Sequence, residues 1–163
     1  MATRILIADD HEFVRRSLRV LLESCAHDWE VCGEARDGRE AVTKAQKLHP
    51  DLIILDWVMP GGDGLQAARE ILKATPSTRI VMHTLHHGPE IEIEARKVGV
   101  ENVVSKTDGA AVLIHTIESL LSEKIPAGER LSNQRETAPA TDTGLSTTTD
   151  DLSYGRSSGL KAG

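Results

Sequence analysis

Up to Ile125 the apolar positions of the chain alternate between two rhythms, short unbroken runs and longer stripes spaced by three or four residues. The runs predict five strands, β1 to β5 in chain order, over residues 4–8, 30–35, 52–55, 79–83 and 102–105. The stripes predict five helices, α1 to α5, over residues 12–24, 39–48, 65–74, 90–98 and 110–122. In α1, Val14, Leu18, Leu21 and Leu22 share one face; in α5, Leu113, Ile117, Leu120 and Leu121 do, and Asp108 is placed to cap its start. The stretch EIEIEA, residues 90–95, alternates as a strand would. Its glutamates, the following ARKV and the βα rhythm assign it to a helix, with Ile91, Ala95 and Val98 on the buried stripe and Ile93 facing water. Five βα units imply an α/β fold, a parallel sheet with helices on both faces. Residues 1–125 therefore read as one domain. Residues 126–163, rich in Ser, Thr, Gly and Asp, hold too little apolar surface to offset their ordering entropy and are expected to be a disordered polar tail.

In a parallel sheet the carboxyl ends of all strands lie along one edge, where open α/β sheets bind ligands. Along that edge β1 runs into Asp9 and Asp10, and the apolar run of β3 stops on Asp56 before a Pro-Gly-Gly turn. If β1 and β3 are neighbours, three carboxylates converge and repel one another. A hard divalent cation relieves that repulsion, and carboxylates with water in octahedral geometry suit Mg²⁺. Thr84 ends β4 and Lys106 ends β5. A hydroxyl, an ammonium, a cation and a carboxylate on one edge make a site for a phosphoryl group carried on a carboxylate oxygen, with Asp56 as nucleophile.

The ordered set of DD after β1, LDxxMPGxDG around β3, Thr after β4 and Lys after β5 resembles the receiver domain of two-component response regulators over residues 3–123. That resemblance implies a flavodoxin-like (βα)5 doubly wound sheet of strand order 2-1-3-4-5. It implies that Asp56 takes phosphate from the phosphohistidine of a cognate histidine kinase or a phosphotransfer protein, and that the domain catalyses its own phosphorylation and dephosphorylation. Asp9, Asp10, Asp56 and the backbone carbonyl of Val58 would bind Mg²⁺, with Asp10 the direct ligand; Thr84 would hydrogen-bond the phosphoryl oxygen and Lys106 would pair with it. The signal would leave through the α4-β5-α5 face, with a homodimer among the outcomes.

ADDHEFVRRSLRVLLE, MPGGDGLQAAREI and His86 resemble the NarL/LuxR type, in which a helix-turn-helix output domain follows. Pro139 and the polar tract around it could not continue such helices, so the chain reads as a stand-alone receiver or the remnant of a truncated regulator. Two departures stand out. Val103 occupies the place where receivers usually carry Tyr or Phe, and Leu85 is bulkier than the small residue common after the Thr. A phosphorylation-independent binding module on the same fold is therefore the alternative reading.

Composition narrows the rest. A formal charge of -6 excludes a broad nucleic-acid-binding face, so no direct nucleic-acid binding is expected. No apolar run approaches a membrane span or a signal peptide, and a cytoplasmic protein is expected. Cys25 and Cys32 lack metal-ligand spacing, are expected inside predicted elements and read as reduced packing residues. His83, His86 and His87 read as loop surface rather than a zinc site, Asp37-Gly38 as a turn into α2, and Phe13 and Trp29 as core. For Trp57, packing over the site and facing solvent both stay open.

Overall fold

A strand made only of apolar residues must be covered on both faces, and β3 (Leu52–Leu55) is buried at all its positions. The structure, a computed structural model, describes residues 1–25, 27–60, 62–86 and 88–122. Around β3 lie β1 (Thr3–Ala8), β2 (Trp29–Ala35), β4 (Arg79–Thr84) and β5 (Asn102–Ser105), all parallel, in the order β2-β1-β3-β4-β5. The helices are α1 (Glu12–Ser24), α2 (Gly38–Leu48), α3 (Gly64–Ala74), α4 (Pro89–Val98) and α5 (Ala110–Ser122). This is the expected flavodoxin-like arrangement, and EIEIEA is helical. A two-residue antiparallel ladder, Val58–Met59 against Gly62–Asp63, decorates the loop after β3. The tail expected over 126–163 lies outside the described residues, as do Gly61 and His87.

The period-2 alternation of each strand sorts the core into two layers. Leu6, Ala8, Ile53, Leu55, Ile80 and Met82 face α2, α3 and α4, meeting Ala41, Ala45, Ala67, Ile71 and Ala95. Ile5, Ile7, Ile54, Val81 and Val104 face α1 and α5, meeting Leu18, Leu22, Leu113 and Ile117. Small alanines on α2 and α3 let those helices approach the sheet closely, and the branched side chains of the strands fill the space between. Loop chemistry agrees with the sequence at α2, where the Asp37 carboxylate accepts from the Glu40 amide at 2.8 Å and caps the helix. On α4, Ala95 is buried, Ile91 and Val98 are half-buried and Ile93 is exposed. Among the described residues no helix is long and apolar enough to cross a membrane.

Three expectations are corrected. Phe13 is not core: it is 81% exposed, because the stripe of Val14, Leu18 and Leu22 already faces the sheet and Phe13 stands about 100° off it. Asp108 does not cap α5; its carboxylate accepts from the Ser105 amide at 3.2 Å and closes the turn after β5. Cys25 follows α1 instead of lying within it, half-buried and free, as Cys32 is on β2. Trp29 opens β2, half-buried against the α1/α5 layer and stacked on His27 at 4.4 Å.

α1 is tied to β2 by a charged cluster. Glu34 accepts from Arg19 Nε at 2.7 Å and from Arg15 Nε at 3.3 Å. Burial works to raise the Glu34 carboxyl, but the two guanidiniums outweigh it and hold it below its ordinary value of 4.5. A depressed carboxyl contributes stability above its unfolded pKa and loses it as pH falls through the folded one. Glu34→Gln is therefore expected to cost about 1 kcal/mol or less at neutral pH. In urea denaturation the gap between variant and wild type should stay constant above pH 4.5 and close below it.

Candidate functional site

Parity carries the strand alternation into the site. Asp9 continues the face of Ile5 and Ile7, Asp56 that of Ile54, His83 that of Val81, and Lys106 that of Val104. All four side chains thus stand on the α1/α5 side of the carboxyl edge. Backbone hydrogen bonds extend the ladder far enough to fix them: Asp9 N donates to Ala35 O at 3.1 Å, Asp56 N to Ala8 O at 2.8 Å and Lys106 N to Thr84 O at 2.9 Å. Gly64 closes the turn after Asp56. Its amide donates to Trp57 O at 2.8 Å, and a Cβ there would lie 2.0 Å from the Asp56 carbonyl oxygen, so only glycine lets α3 start this close.

At the centre, Lys106 Nζ lies 2.6 Å from Asp9 Oδ2 and 2.5 Å from Asp56 Oδ2. The strand order places β4 between β5 and β3, so the Lys106 stem must cross the column of His83 to reach them. Both carboxylates are buried, and removing an ammonium from water is costly, yet the two negative partners outweigh that cost and raise the Lys106 pKa above its ordinary value. The Lys106 contact engages Oδ2 of each carboxylate. Asp9 Oδ1 accepts from the His11 amide at 2.9 Å. Asp10 is different: its Oδ1 is buried and has no hydrogen-bond donor, though His11 Nδ1 stands 2.8 Å away.

Donor atoms of Asp9, Asp10 and His11 lie within 4.8 Å of one another, slightly wider than the roughly 4.2 Å between opposite ligands of an octahedral ion with bonds of about 2.1 Å, so a small inward shift would close them on one. Formally, Asp9, Asp10 and Asp56 bring three negative charges to one ammonium, a deficit that a divalent cation matches. The residues therefore fit a hard dication, and the buried Asp10 oxygen is the observation that supports it.

The other expected members are placed as follows. Thr84 ends β4, fully buried on the opposite parity, and its Oγ1 accepts from the His86 amide at 3.2 Å. Val58 follows Asp56 by two residues, paired with Asp63 and 52% exposed. Trp57 is half-buried against the α2/α3 layer. Val103 is half-buried on β5. His86 is exposed loop surface, as expected. His83 is not: it lies on β4, its Nδ1 is buried without a partner, and burial and the Lys106 charge lower its pKa. With Phe13, Val14, Leu18, Lys106 and Leu113 it lines a cleft of about 390 Å³ between α1 and α5. His11 and Arg15 also went unnoticed in the sequence as site neighbours. The spacing D-D-H was a usable signal for the first; nothing local marks the second.

Comparison with known proteins agrees with this geometry. The family model described as the response regulator receiver domain matches residues 5–118. The response regulator protein VraR of Staphylococcus epidermidis is 40% identical over 111 residues, which are 68% of this chain and 53% of VraR. The chemotaxis protein CheY of Thermotoga maritima is 37% identical over 106 residues, 65% of this chain and 87% of that protein. Among solved structures, a two-component response regulator of the LuxR family from Aurantimonas sp. SI85-9A1 superimposes with a TM-score of 0.71 at 29% identity, covering 83% of this chain and 99% of that one. The matched segment spans about half the length of VraR.

Removing Lys106 leaves two buried carboxylates without their cation. Lys106→Met is expected to lower metal-free stability by about 3 kcal/mol, read as a fall in the urea midpoint in chelating buffer. A raised pKa contributes stability in full below the unfolded value and loses it as pH climbs through the folded one. The deficit should therefore hold from neutral pH up to the ordinary value of 10.5 and shrink only above it.

Proposed function

The chain belongs to the response regulator receiver domain family, and from that premise we propose that it is a cytoplasmic phosphoacceptor, receiving phosphate on Asp56 from a histidine kinase or phosphotransfer protein. The observation that carries the reading is the single ammonium of Lys106 shared between Asp9 and Asp56, beside an Asp10 Oδ1 that is buried without a hydrogen-bond donor.

In this reading Asp9, Asp10, Asp56 and the Val58 carbonyl hold Mg²⁺. The chemistry such an ion would supply there is neutralisation of the charge on the transferring phosphoryl oxygens. The chain's own residues do the rest. Buried at a strand end, Asp56 presents one carboxylate oxygen outside the Lys106 contact as the nucleophile. That oxygen bonds to phosphorus as the phosphorus–nitrogen bond of the phosphohistidine breaks, and the departing imidazole keeps the bonding pair. Lys106, already at the edge, shifts from a carboxylate oxygen to a phosphoryl oxygen. Thr84 gives up its acceptor role toward His86 and donates its hydroxyl to the same group. Its movement draws on the loop before α4, where Leu85 and His86 are exposed.

The output surface in this reading is the α4-β5-α5 face. Ile93, 54% exposed on α4, is an apolar position there that folding does not use. Val103, aliphatic and half-buried, has no ring to swing inward when Thr84 moves, so the change would travel through the backbone of the β4–α4 loop. The same residue supports the second reading, a binding module on this fold that works without phosphorylation.

Incubation with acetyl phosphate and Mg²⁺, followed by intact mass measurement, is expected to add one phosphoryl group to the wild type and none to Asp56→Asn. Chelation should abolish the addition, and Lys106→Ala should slow it by about tenfold or more. An unmodified wild type under conditions where Mg²⁺ binding is confirmed would leave the binding-module reading standing instead.

A further inference from the structure

We propose that Arg15 is the positioning residue of the cation site, setting the direction of Asp10 through the peptide plane that joins it to Asp9; the inference rests on the metal-binding reading above. Asp9 is held at each of its polar atoms. Its amide donates to Ala35 O at 3.1 Å, its carbonyl accepts from Arg15 Nη1 at 2.8 Å, Oδ1 accepts from the His11 amide at 2.9 Å, and Oδ2 lies 2.6 Å from Lys106 Nζ. Asp10 has no such restraint on Oδ1, which no donor reaches in hydrogen-bond geometry. The neighbouring His11 ring stands 2.8 Å away but is exposed, and His11 is itself placed by its amide on Asp9 Oδ1 and by its carbonyl on the Arg15 amide, so its restraint also leads back to Asp9 and Arg15.

The direction of the Asp10 carboxylate is therefore inherited from its backbone. The peptide between Asp9 and Asp10 is planar, so fixing the Asp9 carbonyl oxygen fixes the amide that begins Asp10. The Arg15 guanidinium is the donor that fixes it. Lying ahead of α1, that carbonyl takes no part in the helix ladder, and the Arg15 side chain satisfies it.

Arg15 can do this because it is itself clamped. Its side chain is 14% exposed, and its Nε donates to Glu34 Oε2 at 3.3 Å while Nη1 reaches Asp9. Glu34 also accepts from Arg19 at 2.7 Å, but through its other oxygen, a contact that reaches neither Arg15 nor Asp9. The rigid fork of a guanidinium serves a carboxylate and a carbonyl at once; the single ammonium of lysine serves them less well. A line of contacts thus runs from β2 through α1 to the peptide that aims Asp10. Outer-sphere partners of this kind are typically worth about 10–100-fold in metal affinity.

Calorimetric titration of the full chain with Mg²⁺ tests the assignment. Arg15→Met is expected to weaken the Mg²⁺ Kd by about tenfold or more, and Arg15→Lys by less while keeping the fold. Arg19→Met is the control: it removes a guanidinium from the same Glu34 but touches nothing on Asp9. It should lower thermal stability comparably to Arg15→Met and leave the Mg²⁺ Kd within about twofold of wild type. Saturating Mg²⁺ should restore phosphorylation by acetyl phosphate to Arg15→Met, which separates a binding defect from a chemical one. Wild-type affinity in both Arg15 variants would overturn the proposal, as would equal weakening by Arg15→Met and Arg19→Met, the mark of a merely structural role. Absence of Mg²⁺ binding in the wild type would overturn the metal reading itself, and this inference with it.

Discussion

Two buried carboxylates on one ammonium is the arrangement on which the rest of this molecule turns. Asp9 and Asp56 sit at adjacent strand ends because β1 and β3 pair in register, and nothing in the apolar core beneath them can accept their charge. Lys106 can, but only by extending across the column of β4 from the edge strand. The stem that spans this distance is apolar and lines the same cleft as Val14, Leu18 and Leu113, while its charged end meets the carboxylates. Core packing and site electrostatics are therefore one problem here: the layer that buries α1 and α5 also sets the reach of the lysine.

The fold was legible because every strand is short and unbroken and every helix carries its own stripe. β3 stops at Asp56 in both the sequence and the structure. α4 was the hard case, since EIEIEA fits either period, and the βα rhythm decided it. Of the site, Asp9, Asp10, Asp56, Thr84 and Lys106 could be placed at strand ends from the alternation alone. What the sequence did not convey is which side of an edge a residue faces and who already occupies its atoms. Thr84 lies at the expected strand end but its hydroxyl is turned to the His86 amide. His83 closes the expected β4 but was grouped with His86 and His87 as loop surface, and only the parity of β4 shows that it shares a face with Asp56 and Lys106. Arg15 could not be seen at all, because its partners lie on two other elements. Phe13 was misassigned for the converse reason: aromatic character predicts burial only when the helix face is right.

A site of this kind has stored charge imbalance rather than stored strain. Among the described residues, Asp10 Oδ1 and His83 Nδ1 are the buried polar atoms without a hydrogen-bond partner, and both border the carboxyl edge. Buried polar groups are normally satisfied, and their exceptions gather where a ligand or a moving side chain is to arrive. The core below is filled to the last side chain, with Ile5, Ile7, Ile54 and Leu55 essentially inaccessible, so the edge has a rigid floor. In the proposed phosphoryl transfer, rearrangement falls to Lys106, Thr84 and the loop that follows β4.

The most direct test of the account is a crystal structure of the chain with Mg²⁺ and beryllium trifluoride, whose tetrahedral fluoride complex on a carboxylate mimics a phosphoryl group. The account predicts the fluoride group on an Asp56 oxygen, the ion against Asp9, Asp10, Asp56 and the Val58 carbonyl, and Lys106 Nζ moved from its carboxylate bridge onto a fluorine. An unmodified Asp56 with Mg²⁺ in place, or Lys106 still bridging Asp9 and Asp56 beneath a bound fluoride group, would contradict it.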